Sequence, residues 1–218
     1  MLQELKRKTA AVLMAVVALA LMLETSARAQ VGKSLGAADA NTAAEKDLIG
    51  MPHMTPAIVK GLIEKRPFTS ITELNVYLLS QKLTPEQAMA FYEKAFVHIN
   101  LNTATPEEIL LVPGAGKRMV REFAEYRPWK TYAQFDKEIG KYVGADRTAQ
   151  LAQYTFIPIR LNTATDADIL TIPNAGPRMV REFKEYRPWK TKEQFIKEIG
   201  KYVGAKEAER MWRYVIID

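Results

Sequence analysis

What most limits the fold of this chain is that it repeats itself. LNTAT at Leu101–Thr105 returns at Leu161–Thr165. VPGAGKRMVREFAEYRPWK, from Val112 to Lys130, returns as IPNAGPRMVREFKEYRPWK, from Ile172 to Lys190. At an offset of 60, residues 101–157 and 161–217 agree at about 36 of 57 positions. A more diverged copy lies upstream. ANTAA (Ala40–Ala44) answers LNTAT, RPFTS (Arg66–Ser70) answers RPWKT, and Phe96 and Ile99 stand where Phe156 and Ile159 do. A period of this length means successive copies of one small supersecondary unit. We read a leader over 1–29 and three units over 30–98, 99–158 and 159–218, with Gln30 to Ala38 as a loose lead-in.

Each unit reads as four short helices. Thr105-Pro106-Glu107-Glu108 is a helix start, with threonine at the N-cap, proline at N1 and glutamate at N3. Pro113-Gly114-Ala115-Gly116 stops that helix and opens the next. There Met119, Val120, Phe123 and Tyr126 recur at helical spacing on one face. Arg127-Pro128 closes it. Thr131-x-x-Gln134 reads as a second capping box, repeated as Thr191-x-x-Gln194 and Ser70-x-x-Glu73. Trp129, Trp189 and Phe68, each after a proline, read as core plugs. Alternating patterns are confined to the unit junctions, so the expected class is all-α.

Composition sets the compartment. The first residues hold a basic cluster (Lys6, Arg7, Lys8), an apolar run from Ala10 to Leu23 of about 14 residues, and Ala27-Arg28-Ala29 as an A-x-A cleavage site. This predicts a cleaved signal peptide over 1–29, a periplasmic or secreted mature chain, and no membrane span within it. The net charge is +6, of which the leader carries +2, leaving a mildly basic +4. The chain has no cysteine, which excludes a disulfide framework, a thiolate metal site, a cysteine nucleophile and lipoprotein acylation. No Ser-His-acid, paired-carboxylate or phosphate-loop signature is present, and His53 and His98 share no ligand spacing. We therefore expect no enzyme, no cofactor and no metal.

The corner before the second helix has its own chemistry. The first amides of a helix lack intrahelical acceptors and carry the positive end of its dipole. Glycines there permit a left-handed turn and close approach of an anion. In the middle unit Gly114 and Gly116 shape the turn, the amides of Ala115 to Arg118 point outward, and Lys117 and Arg118 add charge. In the third unit Asn174 replaces one glycine, and Pro177 removes one amide and one charge. The first unit has His53-Met54-Thr55-Pro56, with no glycine. The second corner of each later unit keeps one glycine, as Tyr142-Val143-Gly144 and Tyr202-Val203-Gly204, with Lys141 and Lys201 close by. On this reading one corner of about six is intact.

The ordered phrases Asn102-Thr103-Ala104, Val112-Pro113-Gly114-Ala115-Gly116, Tyr126-Arg127 and Pro128-Trp129-Lys130-Thr131 resemble the ComEA-type family of exported competence DNA-binding proteins, built on tandem helix-hairpin-helix domains. The resemblance covers the middle unit well, the third closely and the first loosely. It implies three tandem helix-hairpin-helix units and sequence-independent binding of double-stranded DNA through phosphates, in DNA uptake. The residues it marks are Gly114, Ala115, Gly116, Lys117 and Arg118, helped by Arg121, Lys130 and Lys141, with Gly176, Arg178 and Lys190 as a poorer second site. Helix-hairpin-helix units also serve as protein–protein modules. The alternative is therefore an exported structural or interaction module with a periplasmic or envelope partner, in which the glycines only permit tight corners. Arg118 with Glu122, and Arg121 with Glu125, stand at i,i+4 and are candidates for pairing on a solvated helix face.

Overall fold

A computed structural model describes residues 31–217; the leader expected over 1–29 lies outside them. Twelve helices occur among the described residues. They are α1 (Glu45–Ile49), α2 (Pro56–Lys65), α3 (Ile71–Ser80), α4 (Pro85–Tyr92), α5 (Pro106–Leu110), α6 (Lys117–Glu125), α7 (Tyr132–Val143), α8 (Ala145–Ala152), α9 (Asp166–Leu170), α10 (Pro177–Glu185), α11 (Lys192–Val203) and α12 (Ala205–Trp212). None of them is long and apolar enough to cross a membrane. The fold is mostly helical, compatible with the all-α expectation.

Six two-residue strands join the helices: β1 (Ala38–Asp39), β2 (Ala95–Phe96), β3 (Ile99–Asn100), β4 (Thr155–Phe156), β5 (Ile159–Arg160) and β6 (Val215–Ile216). They pair in parallel as β1–β2, β3–β4 and β5–β6. Each ladder ties the two ends of a four-helix stretch together. Parallel strands need a long crossover, and here the crossover is a whole repeat.

The phrase Asn-Thr-Ala and the phrase Arg-Pro-aromatic prove to be two halves of one clamp. Asn102 Oδ1 accepts the Trp129 N–H at 2.6 Å, and Asn102 Nδ2 donates to the Trp129 carbonyl at 2.9 Å. Asn162 holds Trp189 in the same way, at 2.7 and 3.0 Å. Asn41 holds Phe68 at 2.8 and 3.0 Å. The aromatic ring is thereby driven into the core: Trp129, Trp189 and Phe68 are all about 1% exposed. Trp129 Nε1 donates to the Phe123 carbonyl, and its ring lies between Tyr126 and Phe135. Arg127 completes the loop, giving Nε to the Leu101 carbonyl and Nη2 to the Ala104 carbonyl; Arg187 does the same with Leu161 and Ala164. The X-Pro bonds at Pro67, Pro128 and Pro188 are cis.

Side chains cap seven of the helices. Thr55, Ser70, Thr84, Thr105, Thr131, Thr165 and Thr191 each accept an amide of the first turn. The box is reciprocal at Thr84/Gln87, Thr105/Glu108 and Thr165/Asp168. At Thr131 and Thr191 it is not. There the Gln134 and Gln194 side chains reach one residue further, to the amides of Lys130 and Lys190.

Two findings depart from the repeat pattern. The lead-in is not loose. Gly32 N–H reaches the Thr155 carbonyl, Val31 bridges to Phe156, and the amides of Leu35 and Ala37 both reach Gln153 Oε1. Burial of these amides would cost too much without partners, and the second repeat supplies them. The repeats are also not equally joined. The first two share one continuous hydrophobic cluster, whereas the third has its own, beginning at Phe156.

Polar contacts tie the third repeat to the first. Asp39 is buried; its Oδ1 accepts the Asn41 amide, and its Oδ2 meets His98 Nδ1 and the Tyr214 hydroxyl, each at 3.0 Å. Arg213 Nη2 donates to the His98 carbonyl. Burial pushes the Asp39 carboxyl up, but the His98 hydrogen bond and charge, the charge of Arg210 and the Asn41 amide together outweigh it, and the net shift is downward from 3.8. A carboxylate with a lowered folded pKa stabilises the fold above its ordinary pKa, and that contribution disappears as pH falls through the folded value. Wild-type stability is therefore expected to decline in acid below about pH 4, and Asp39→Ala to flatten that decline. Urea midpoints measured across this range check it; parallel declines for the two proteins would refute the assignment.

Candidate functional site

The five helices without a side-chain cap are α1, after Ala44, and the four that follow a glycine: α6 after Gly116, α8 after Gly144, α10 after Gly176 and α12 after Gly204. Glycine has no oxygen to offer the first turn, so those amides remain available to an external acceptor. The two matching corners of the first repeat lack this property. Thr55 accepts from Ile58 N at the start of α2, and Thr84 with Gln87 closes the start of α4. The chain thus has open corners in the second and third repeats and self-capped ones in the first.

Backbone shape alone does not separate them. Gly114 has φ +73°, Asn174 +64° and His53 +61°, so all three first corners use a left-handed residue at the matching place. Asparagine tolerates that region better than most side chains. Histidine adopts it too, so the turn survives without glycine. What glycine adds is space. A Cβ on Gly114 would lie 1.2 Å from Arg147 Nη2, because the Arg147 guanidinium rests directly on the Gly114 backbone.

Arg147 is the site residue that sequence reading missed. It sits in the first turn of α8, and its Nη1 donates to Gln150 Oε1 at 2.6 Å. Its place over Gly114 brings the open ends of α6 and α8 beside one another. The third repeat has Glu207 at the matching position. There Asn174 Nδ2 donates to Glu207 Oε1 at 3.2 Å, and Glu207 also takes the Arg210 guanidinium at 2.7 and 2.8 Å. Arg210 in turn caps the Pro173 carbonyl. Gly114 with Arg147 has become Asn174 with Glu207: two changes, one contact. The sequence gives little clue, because residues 146–153 and 206–213 differ at every aligned position. Only the fold shows that Arg147 and Glu207 face the corner.

The remaining predicted residues divide into groups. Gly114, Gly116, Lys117 and Arg118 are exposed at the corner and Arg121 is exposed one turn along α6. Ala115 is half-buried and its amide does not point outward as expected: it closes the turn by donating to the Val112 carbonyl at 2.9 Å. Arg118 stacks over the Tyr142 ring, 4.4 Å from its centroid, and the Tyr142 hydroxyl meets that of Tyr126 at 2.8 Å. Its ion pair with Glu122 is loose, at 3.8 Å, so the stack fixes the guanidinium more than the charge does. Hydrogen bonds to Tyr126 and Glu122 push the Tyr142 phenol upward, keeping it neutral. Arg178 and Tyr202 repeat the stack at 4.8 Å, with Tyr186 behind them at 2.9 Å.

Lys141 lies 5.8 Å from the Tyr126 ring centroid and is ion-paired with Glu138, which raises its pKa. Its charge is partly spent within the chain. Lys130 belongs elsewhere, lining a cavity of about 800 Å³ with Asn102, Trp129 and Ile159 at the junction of the second and third repeats. Gly176 starts α10 without a cap, and Lys190 is exposed. Among the described residues no cluster of three or more His, Cys, Asp or Glu could hold a metal.

The geometry of the middle corner is that of an anion cradle: two uncapped helix ends, three cationic side chains (Lys117, Arg118, Arg147) and a backbone approachable at Gly116, where an added Cβ would meet nothing within 4 Å. Compared with family models, with curated proteins and with solved structures, the chain finds no match in any of the three.

Proposed function

We propose that the chain is an exported protein of three tandem helix-hairpin-helix units that binds double-stranded DNA without sequence preference, through backbone phosphates at the middle unit, in a process such as DNA uptake. The observation that carries this reading is the coincidence of open helix ends with cationic side chains at one corner. The starts of α6 and α8 are both uncapped, and Arg147 lies across Gly114 between them. Backbone amides and an unpaired lysine neutralise phosphate charge and read no base edge, which accounts for the absence of sequence preference. Lys117, Arg118 and Arg147 are the residues we assign to this contact, with Arg121 flanking it.

The test is a titration of the mature chain with duplex DNA at several salt concentrations. Neutralising about two to four phosphates predicts log K falling with log salt at a slope of about −2 to −4. Duplexes of unrelated sequence should give the same curve. Absence of binding at low salt would remove the proposal.

A second reading, an exported structural or protein-interaction module, is favoured by the corners outside the middle repeat. Those of the first repeat are closed by Thr55 and Thr84, and the first corner of the third is filled by its own Asn174, Glu207 and Arg210. Affinity purification from envelope extract that recovers a stoichiometric protein, together with no DNA binding, would select it.

A further inference from the structure

The arginine before the cis proline has a fixed task in two repeats and has lost it in the third case. Arg127 and Arg187 each give Nε and Nη2 to two loop carbonyls. In the first repeat the matching residue is Arg66, and the same two atoms, Nε and Nη2, are buried with no partner. A guanidinium that is taken out of water and left unpaired is strongly unfavourable. Such an orphan calls for a partner, a bound water or an ion.

Arg66 lines a cleft of about 430 Å³ between the first and third repeats. Facing it in the same cleft is Arg210, about 1% exposed, whose Nη1 is also buried and unpartnered. The second repeat has Gln150 at that place, so this arginine is particular to the third. Asn41, Gly204 and Lys206 complete the lining, and Gly204 leaves the start of α12 uncapped. Acids are near but already engaged. Glu207 is held by Arg210 and Asn174. Asp39 directs its oxygens to Asn41, His98 and Tyr214; it hydrogen-bonds neither arginine and reaches both by charge alone.

We infer that this cleft is a second anion site, built by the first and third repeats together, and that it holds a tetrahedral oxyanion, phosphate or the phosphate head of a phosphomonoester, between Arg66 and Arg210. Three buried, unpartnered guanidinium nitrogens belong to the two arginines that line it, and arginine suits such oxygens through its planar fork. The cleft volume exceeds that of inorganic phosphate alone, which leaves room for the rest of a phosphomonoester. The site does not depend on the middle corner, and it gives the third repeat, which has its own hydrophobic cluster, a ligand-dependent tie to the first.

The test is thermal unfolding of the full mature chain in inorganic phosphate against chloride at equal ionic strength. A ligand bound to the folded state alone raises the midpoint by about 5–10 °C at about a hundred times its Kd. Arg66→Gln is expected to abolish this rise, and Lys206→Glu, an exposed residue of the rim, to reduce it. Lys117→Glu, at the middle corner, is expected to leave it intact. Without phosphate Arg66→Gln is expected to unfold no earlier than wild type, since an unpaired charge has been removed; a purely structural arginine would make it unfold earlier. Adding duplex DNA separates the sources. If it cancels the phosphate-specific rise in Lys117→Glu, whose middle corner is disabled, the occupant is a DNA phosphate; if the rise persists there, it is a free phosphate or phosphomonoester. No rise in phosphate beyond that in chloride, or an equal rise in Arg66→Gln, would overturn the inference.

Discussion

Gly114→Val is expected to remove most of the DNA affinity of the mature chain, by about tenfold or more at low salt, the equivalent of about 1.4 kcal/mol. Two causes act together. Gly114 has φ +73°, a region closed to a β-branched residue, so the turn that presents the α6 amides must shift. The valine Cβ would also occupy the place of Arg147 Nη2, so the cation that joins the two open helix ends must leave. Arg147→Glu isolates the second cause without disturbing the backbone. It reproduces in the middle repeat the acid that the third already has as Glu207, and should lose severalfold in affinity and make the salt slope shallower by about one phosphate. Asn174→Val is the control. It strains a similar turn, at φ +64°, but that corner already faces Glu207 and lacks the N1 amide because of Pro177, so little affinity should go with it. Fluorescence anisotropy on one labelled duplex compares all three. Equal losses at Gly114 and Asn174 would mean that the middle corner has no special part.

The largest single effect on stability among polar residues is expected at Asn102. Asn102→Ala removes both hydrogen bonds to the backbone of Trp129 and strands an N–H and a carbonyl beside a ring that is about 1% exposed. Two lost bonds and the stranded groups add to about 2–4 kcal/mol, approaching the ~3–5 kcal/mol for truncating a buried tryptophan itself. Asn102→Asp keeps the acceptor but loses the donor, and should fall between wild type and alanine. Urea unfolding followed by tryptophan fluorescence reads this directly. A change under about 0.5 kcal/mol for Asn102→Ala would show that the Asn-Thr-Ala phrase has another purpose.

Much of this was legible from repetition alone. The period near 60, the Thr-x-x-Glu starts, the glycine corners and the buried aromatic after proline all follow from local rules. Propensity, capping and turn geometry act over a few residues and leave their mark within them. Hence the helical class, the place of the corners and the burial of Trp129 and Trp189 could be stated in advance. The contrast between a middle corner with lysine and a third with proline was equally plain, since it compares two aligned residues.

What required the tertiary structure was contact at a distance. Asn102 touches Trp129 across 27 residues, Arg147 covers Gly114 across 33, and Asp39 meets Tyr214 across 175. No periodicity encodes these pairings, because each depends on where a loop returns after a helix has run its length. The same reason governs the surroundings of two further residues. Lys130 follows the tryptophan by one residue and reads as part of the DNA face, but the clamp on Trp129 puts it at the junction with the third repeat. Lys141 lies close to the second corner, and one turn of α7 gives it Glu138 as an ion-pair partner. Repetition at an offset of 60, with its caps and glycines, was enough to place a mostly helical fold and its corners. Whether a corner is capped is local, since Thr55 and Thr84 stand at N-caps where the later repeats have glycine; the sign of charge beside Gly114 and Asn174 is not, because Arg147 and Glu207 are delivered there by a helix that begins about 30 residues further along the chain.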